Sequence, residues 1–326
     1  MSTKFETQLS LSRPFLTRKE LQLAHRNTIP DRRTYIQRKL TIFKFLSDVC
    51  IHFKFPRRTL ETAIYFYQRY YVFNKFETEM CHTVATSCLL LSCKQVETFK
   101  KVNELCTISL RLRNVTNIKQ ETIENFKKRV FQIELRILEA CGFDYRINSH
   151  VHIDEYIVKL GKQLNLDQYI CHLAWVIAYD VLKLDIILMV PQHTIALATL
   201  KIASELVNLP NFPLEDKYVE FKTTLESINE AYFDILNYYI NIFDTCHLKD
   251  NLPVNALPSV NLERFMELKR KAGQESGLKE LTEQDYGKDK YLTTVREFSE
   301  RERRYVLVSK FVTDEESVLS GKKRRL

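Results

Sequence analysis

The sequence is poor in the two residue types that make tight turns. Its 326 residues include 6 glycines and 8 prolines. Sandwiches, barrels and doubly wound sheets need many turns, and turns depend largely on these residues. Their scarcity predicts an all-α chain of long helices joined by short loops, and the length suffices for two domains that each bury a core.

Signals that define several other classes of protein are also missing. The 8 cysteines form no CxxC pair, and most lie in apolar stretches where cysteine acts as a small hydrophobic residue. Residues 1–10 lack the apolar core of a secretory signal, and no run reaches the roughly 20 residues that cross a membrane. We therefore expect a protein of a reducing compartment that makes no membrane contact.

Motifs that would indicate an enzyme are absent as well. The sequence has no glycine-rich phosphate loop, no GxGxxG, no GxSxG and no HExxH. Its histidines show no metal-ligand spacing, and no pair of carboxylates stands out as an acid–base couple. We expect a non-catalytic protein that needs neither a cofactor nor a metal ion.

The charge of the chain is only mildly basic. Lysine and arginine number 49 against 41 acidic residues, for a net charge of +8. The basic residues alternate with acids over several predicted helices, which is typical of solvated helix faces. The charge permits nucleic acid or an acidic partner and demands neither, and no direct binding of nucleic acid is expected.

One stretch, Met80 to Glu97, is notable for having almost no charge. No charged side chain lies between Glu79 and Lys94, and small residues fill its middle. This composition predicts a buried helix at the centre of a helical domain, ending at Lys94 and Glu97. The helix before it shows an amphipathic stripe formed by Leu60, Ala63, Ile64, Tyr67 and Tyr71.

The central stretch recurs once along the chain. Residues 83–93 can be laid over residues 194–204, an offset of 111. The repeat predicts two tandem five-helix units, each built on a buried central helix. The expected boundaries are an N-terminal arm and helix (1–30), a first unit (31–146), a second unit (147–246) and a partly disordered C-terminal extension (247–326). The terminal basic cluster fits a nuclear-import signal and an ordinary charged tail about equally: Lys322, Lys323, Arg324 and Arg325.

The fifth predicted helix, Gln120 to Cys141, places a carboxylate among apolar residues. Glu134 points into an apolar arc formed by Ile123, Phe126, Val130, Phe131, Ile133, Ile137 and Leu138. An unpaired carboxylate there would cost several kcal/mol or take up a proton. Glu134 therefore either has a cationic partner, for which Lys94 is a candidate, or lines a groove where another molecule docks. For Lys94 the simpler interpretation is a cation favoured at a helix C-terminus.

These features together resemble the cyclin family. The resemblance rests on the two five-helix repeats, a small-residue helix ending CKQVE and a fifth helix reading FQIELRILEACGFDY. In cyclins a lysine and a glutamate at the positions of Lys94 and Glu134 bind the backbone of the kinase's regulatory helix. The resemblance implies a kinase-binding role for Lys94, Glu97 and Glu134. Weaker candidates for kinase contact, each also explained by core packing, are Tyr67, Tyr71, Phe126 and Val130.

Segments such as ETAIYFYQRYY and NFKKRVFQIELRILE are similar to a cyclin of the transcriptional branch. That similarity implies a CDK-like catalytic subunit as partner, and a small third subunit. It also implies that the complex phosphorylates the C-terminal heptad repeats of RNA polymerase II, in the nucleus, during transcription elongation and mRNA processing. The substrate-docking patch of cell-cycle cyclins is kept only in part, at residues 38–45.

Two other interpretations remain open from the residues. A general transcription factor of the TFIIB type uses the same double fold to bind promoter DNA. It would bring an N-terminal zinc ribbon and a strongly basic second repeat, yet no cysteine precedes Cys50, and acids such as Asp154 and Asp180 offset the lysines. A purely structural scaffold gives no reason for a carboxylate at position 134.

Overall fold

The computed structural model describes residues 15–16, 18–143, 152–209, 212, 217–221, 223–252 and 260–274. Their regular structure is helical throughout, in agreement with the all-α prediction, and none of these helices combines the length and hydropathy needed to cross a membrane. They belong to two compact units, one within residues 15–143 and one within 152–274. The predicted N-terminal arm, the terminal basic cluster and residues 275–326 of the predicted extension lie outside the described residues.

The first unit contains six α-helices and one short 3-10 helix, Thr78–Met80, within its described residues. The α-helices are α1 (Arg18–Thr28), α2 (Arg32–Phe53), α3 (Arg57–Phe73), α4 (Cys81–Gln95), α5 (Val102–Leu112) and α6 (Gln120–Ala140). Helix α2 illustrates why they begin and end where they do. The carboxylate of Asp31 caps it by accepting from the backbone amide of Arg33 at 2.9 Å. Lys54 ends it in the left-handed conformation (φ 55°), and Pro56, which cannot continue a helix, precedes α3.

Two helices, rather than one, form the centre of the first unit. All side chains of α4 from residue 83 to residue 93 are buried, as the sequence predicts. Helix α3 is equally buried from residue 59 to residue 73, including the polar Gln68 and Arg69. The predicted amphipathic stripe therefore describes only one of the buried faces of α3, because the opposite face is buried as well.

Buried hydrogen bonds tie these two helices to α6. The Nε of Arg69 on α3 donates to the backbone carbonyl of Ala140, at the end of α6, at 3.0 Å. The hydroxyl of Ser87 on α4 donates to the carbonyl of Val130, in the middle of α6, at 2.8 Å. Because such bonds are strong in a low-dielectric interior, they fix how the ends of α4 and α6 lie against each other.

The second unit repeats this arrangement around another buried helix. Its helices are α7 (Ile153–Gln163), α8 (Gln168–Val181), α9 (Gln192–Leu206), α10 (Lys217–Glu220), α11 (Leu225–Ile242), α12 (His247–Asp250) and α13 (Leu262–Gln274). Helices α4 and α9 both have 15 residues, and α9 begins 111 residues after α4. This offset is the one that the sequence repeat predicts.

The second unit extends beyond the boundary expected at residue 246. Helices α12 and α13 follow that boundary, and their apolar side chains are buried: Leu248, Phe265, Leu268 and Ala272. The ring of Phe265 stacks on that of Tyr239 from α11, with centroids 4.6 Å apart. Residues 247–250 and 262–274 thus belong to the packed unit and are not a separate extension.

A buried carboxylate holds the start of α12. Asp180 of α8 is fully buried and accepts from the backbone amides of His247 and Leu248 at 3.0 and 2.9 Å. It also accepts from the Tyr239 hydroxyl at 3.2 Å and from the Lys183 ammonium at 2.6 Å. Burial, followed by the nearby Asp180 charge, raises the pKa of Tyr239, so the hydroxyl stays a donor. These bonds stabilise the buried carboxylate of Asp180. They also hold the start of α12, which follows α11, against α8.

The contact between α7 and α8 leaves no room for a side chain at Gly161. A Cβ there would overlap the Sγ of Cys171. We predict that Gly161→Ala lowers the free energy of unfolding by about 1–3 kcal/mol, the usual cost of overpacking. Urea denaturation measures this, and a second substitution, Cys171→Ala, should recover most of the loss because it removes the Sγ. A single variant as stable as the unaltered protein would contradict the prediction.

Candidate functional site

An ion pair joins the C-terminal halves of α4 and α6. The Nζ of Lys94 donates to Oε1 of Glu134 at 2.6 Å. The side chain of Lys94 is 45% exposed and that of Glu134 is 13% exposed, so the pair lies at the rim of the unit with the lysine outward. The Nζ also lies 5.9 Å from the centroid of the Phe131 ring. The structure thus brings together Lys94 and Glu134, two of the three residues to which the cyclin resemblance assigns kinase binding.

Glu134 lies at the edge of the buried face of α6, not in its middle. The side chains of that face which reach the core are Phe126, Val130, Ile133, Ile137 and Ala140. At 100° per residue these five form a narrow stripe, and Glu134 borders it. Phe131, on the outer side of Glu134, is 41% exposed. The predicted apolar arc is therefore too wide, since it mixed core residues with surface residues.

Exposed apolar side chains lie close in the sequence to the residues of the ion pair and to Glu97. Leu135, next to Glu134, is 53% exposed, and Phe99, two residues after Glu97, is 67% exposed. Large apolar side chains beside a charged pair are typical of protein–protein contact surfaces. The surface formed by Lys94, Glu97, Glu134, Phe131 and Leu135 is called the α4–α6 edge below.

Glu97 lies two residues after the last residue of α4, and its backbone has a conformation that favours glycine. Its φ is 56°, and the amide of Thr98 closes the turn by donating to the carbonyl of Cys93 at 3.0 Å. The left-handed region costs a residue with a side chain about 1–2 kcal/mol. The carboxylate of Glu97 is exposed and has no ion-pair partner in the described part of the chain, so the structure does not join it to Lys94 or Glu134.

The polar groups around Glu97 fix the turn in place. The hydroxyl of Thr98 lies 3.1 Å from that of Thr59, at the start of α3. The Ser92 hydroxyl in turn donates to the backbone carbonyl of Thr59 at 2.6 Å. The end of α4 is thereby held rigidly against α3, and Glu97 is presented to solvent from a fixed backbone.

The weaker candidates for kinase contact lie in the core. Tyr67, Tyr71 and Val130 are at most 2% exposed, and Phe126 is 7% exposed. The rings of Tyr67 and Tyr71 meet edge to face, with centroids 5.1 Å apart. These side chains offer a partner almost no surface in this structure, so we withdraw the direct contact predicted for them in favour of packing.

The start of α4 carries a histidine whose protonation opposes folding. The ring of His82 packs edge to face on Phe45 at 5.1 Å. Burial and the positive charges of Arg113 and Arg38 lower the pKa of His82 from 6.5 to about 4. The unfolded chain therefore binds more protons than the folded one between these pH values.

We predict that the free energy of unfolding falls as the pH falls from 6.5 towards 4, and that His82→Gln reduces this dependence. Chemical denaturation at pH 7 and pH 4.5, with both forms of the protein, provides the measurement. An identical loss in the two forms would mean that His82 does not contribute.

Comparison with known proteins assigns a class to this architecture. The family model described as the cyclin N-terminal domain matches residues 13–146, which include α1 to α6 and the ion pair. Similarity over nearly the full chain to CTD kinase subunit beta of Saccharomyces cerevisiae supports the same assignment. The chain belongs to the cyclin family.

Two relatives and one solved structure are similar to the chain over most of its length. The chain is 58% identical over 321 residues to CTD kinase subunit beta of Saccharomyces cerevisiae, covering 98% of the chain and 99% of the relative. It is 24% identical over 238 residues to CTD kinase subunit beta of Schizosaccharomyces pombe, covering 71% and 69%. Its structure is similar to a chain in the crystal structure of the yeast RNA Pol II CTD kinase CTDK-1 complex. The TM-score is 0.86 at 58% identity, covering 93% of this chain and 97% of that one.

Proposed function

We propose that the chain is the regulatory cyclin subunit of a kinase that phosphorylates the C-terminal heptad repeats of RNA polymerase II. The observation that carries the proposal is the 58% identity, over 98% of the chain, to a subunit of a CTD kinase. The complex contains a CDK-like catalytic subunit and a small third subunit. It acts in the nucleus, in transcription elongation and mRNA processing. The chain itself performs no catalysis.

Lys94, Glu97 and Glu134 form the kinase-binding site in this proposal. A lysine ammonium has three N–H donors and Lys94 uses one on Glu134, so it can also donate to backbone carbonyls of a docking helix. A carboxylate has two oxygens, so Glu134 can accept a backbone amide while it holds the lysine. The hydrogen bonds from Arg69 on α3 and Ser87 on α4 to α6 support this kinase-binding role. They fix the positions of α4 and α6 relative to each other before a partner binds.

The mechanism is a shift between two kinase conformations. Protein kinases need an ion pair between a strand lysine and a glutamate of the αC helix, and that helix must lie inward for the pair to form. A cyclin that binds only the inward position raises its population. A shift from 1:99 to 99:1 needs about 5.5 kcal/mol of differential binding.

That energy decides which residues must take part. An exposed ion pair contributes at most about 1 kcal/mol. Burying a phenylalanine or leucine side chain contributes about 1.5–3 kcal/mol each. The exposed Phe131 and Leu135 are therefore needed as a source of affinity, while Lys94 and Glu134 fix the register of the docked helix.

Co-purification tests the proposal. The tagged chain is expressed with the kinase subunit of the CTDK-1 complex, and the captured material is assayed on a heptad-repeat peptide. We expect capture of the kinase and phosphorylation of the peptide. Capture of no kinase, together with promoter-DNA binding that weakens steeply with salt, would favour a TFIIB-type function instead.

A further inference from the structure

The second unit contains a counterpart of the α4–α6 edge. Because α9 begins 111 residues after α4, Glu205 and Asn208 take the places of Lys94 and Glu97. The backbone follows the same path, since Glu97 and Asn208 both have a φ of 56°. Asparagine tolerates this left-handed conformation better than glutamate does.

The link between helix ends is also repeated, with different side chains. In the second unit the hydroxyl of Tyr232 on α11 donates to Oε2 of Glu205 on α9 at 2.5 Å. In the first unit the corresponding link is the bond from Lys94 to Glu134 at 2.6 Å. Each edge thus has a side-chain hydrogen bond that joins its central helix to the next long helix, although Glu205 accepts where Lys94 donates and also pairs with Lys201 on its own helix.

The edge of the second unit is covered by a helix of the chain itself. Helix α13 approaches it with Arg264, whose Nη2 donates to the backbone carbonyl of Glu205 at 2.8 Å and to Oδ1 of Asn208 at 2.5 Å. The helix then buries Phe265 and Leu268, which are 0% and 3% exposed. An amphipathic helix with an arginine in its first turn is therefore the kind of ligand that this construction holds.

The edge of the first unit presents the same acceptors without such a helix among the described residues. The carbonyl of Lys94 takes the place of the Glu205 carbonyl, and the exposed carboxylate of Glu97 takes the place of the Asn208 amide. The negative charge of Glu134 balances the positive charge of Lys94. Glu97 adds one more negative charge, so the residues of the α4–α6 edge carry a net negative charge. Phe131 and Leu135 beside it remain exposed.

We propose that this edge accepts an arginine from an amphipathic helix of the kinase subunit, held between the Lys94 carbonyl and the Glu97 carboxylate as Arg264 is held in the second unit. The proposal rests on the proposed function and specifies the chemistry of the partner. A guanidinium suits the position because it donates to two acceptors in a fixed geometry, which an ammonium does not. Glutamate, although strained here, makes a charge-assisted bond that the asparagine of the second unit does not make.

The test measures the dissociation constant of the purified chain for the kinase subunit of CTDK-1. We expect Glu97→Lys to weaken binding at least about 100-fold, since it places like charges together. We expect Glu97→Gly to weaken binding about 10-fold while raising the midpoint of thermal unfolding, because glycine suits a φ of 56°. A loss of affinity in a more stable protein is not explained by unfolding.

A matched control separates this site from a general effect of charge. Glu79→Lys makes the same charge change before the other end of α4, about 27 Å away along the helix, and should leave binding unchanged. If Glu97→Lys and Glu97→Gly bind as tightly as the unaltered chain, the arginine proposal is wrong and the proposed function stands. If the unaltered chain binds no kinase, both are wrong.

Discussion

Replacing Asp180 by alanine is expected to lower the free energy of unfolding of the second unit by about 3–5 kcal/mol, the usual effect of breaking a buried ion pair. The substitution leaves the Lys183 ammonium, 11% exposed, without its carboxylate. It also leaves the backbone amides of His247 and Leu248 without their acceptor, and each buried unsatisfied group costs about 1–3 kcal/mol. Domains are stable by about 5–15 kcal/mol, so this is a large share.

The chain provides its own probe for this measurement. Its single tryptophan, Trp175, lies on α8, so tryptophan fluorescence in urea reports on the second unit. Asp180→Asn, which keeps an acceptor oxygen but loses the charge, should fall between the alanine variant and the unaltered protein. Asp244→Ala removes an exposed carboxylate, also paired with a lysine, and should change stability by less than about 1 kcal/mol. Equal midpoints for Asp180→Ala and Asp244→Ala would contradict the role given to Asp180.

Reversing the charge of Glu134 is expected to weaken kinase binding at least about 100-fold, while lowering the stability of the chain by less than the corresponding binding loss of about 2.8 kcal/mol. The pair is half-exposed on the lysine side, and such pairs contribute little to folding. A charge misplaced in an interface costs about 2–5 kcal/mol of binding. Glu134→Lys therefore separates a binding role from a structural role. Glu121→Lys makes the same charge change on the same helix, about 20 Å away, and should leave binding unchanged.

Exchanging the two charges provides a stricter form of this test. The double variant Lys94→Glu, Glu134→Lys can form the ion pair again with its direction reversed. We expect recovery of stability without recovery of kinase affinity, because the acceptor and donor positions offered to a docking helix have been exchanged. Full recovery of affinity would show that only the intramolecular pair matters.

The helices were largely predictable because their signals are local. The absence of charge from residue 80 to residue 93 requires burial, and the same pattern 111 residues later requires a second buried helix. Arg69 on α3 was not predictable in this way. Its acceptor, the carbonyl of Ala140, lies 71 residues away, and no local pattern indicates that bond. The boundary after residue 246 was misplaced because composition changes there, although Phe265 and Leu268 still pack on the unit.

The site was predictable only in part, because its local signals do not show which side chains are buried. The pattern around Glu134 indicated a carboxylate that needs a partner, and the resemblance supplied Lys94. Local spacing does not distinguish an apolar residue of the core from one kept at the surface for a partner, so Phe131 was assigned to the buried arc. The left-handed backbone of Glu97 and its counterpart at Asn208 depend on how each helix ends in three dimensions.

The most direct test of the account is the activity of the CTDK-1 kinase subunit on a heptad-repeat peptide, measured while the purified chain is titrated in. We predict that activity rises and saturates with the unaltered chain, and that Glu134→Lys shifts the half-maximal concentration at least about 100-fold upward. No rise in activity with the unaltered chain, or the same titration curve for both forms, would contradict activation through the α4–α6 edge.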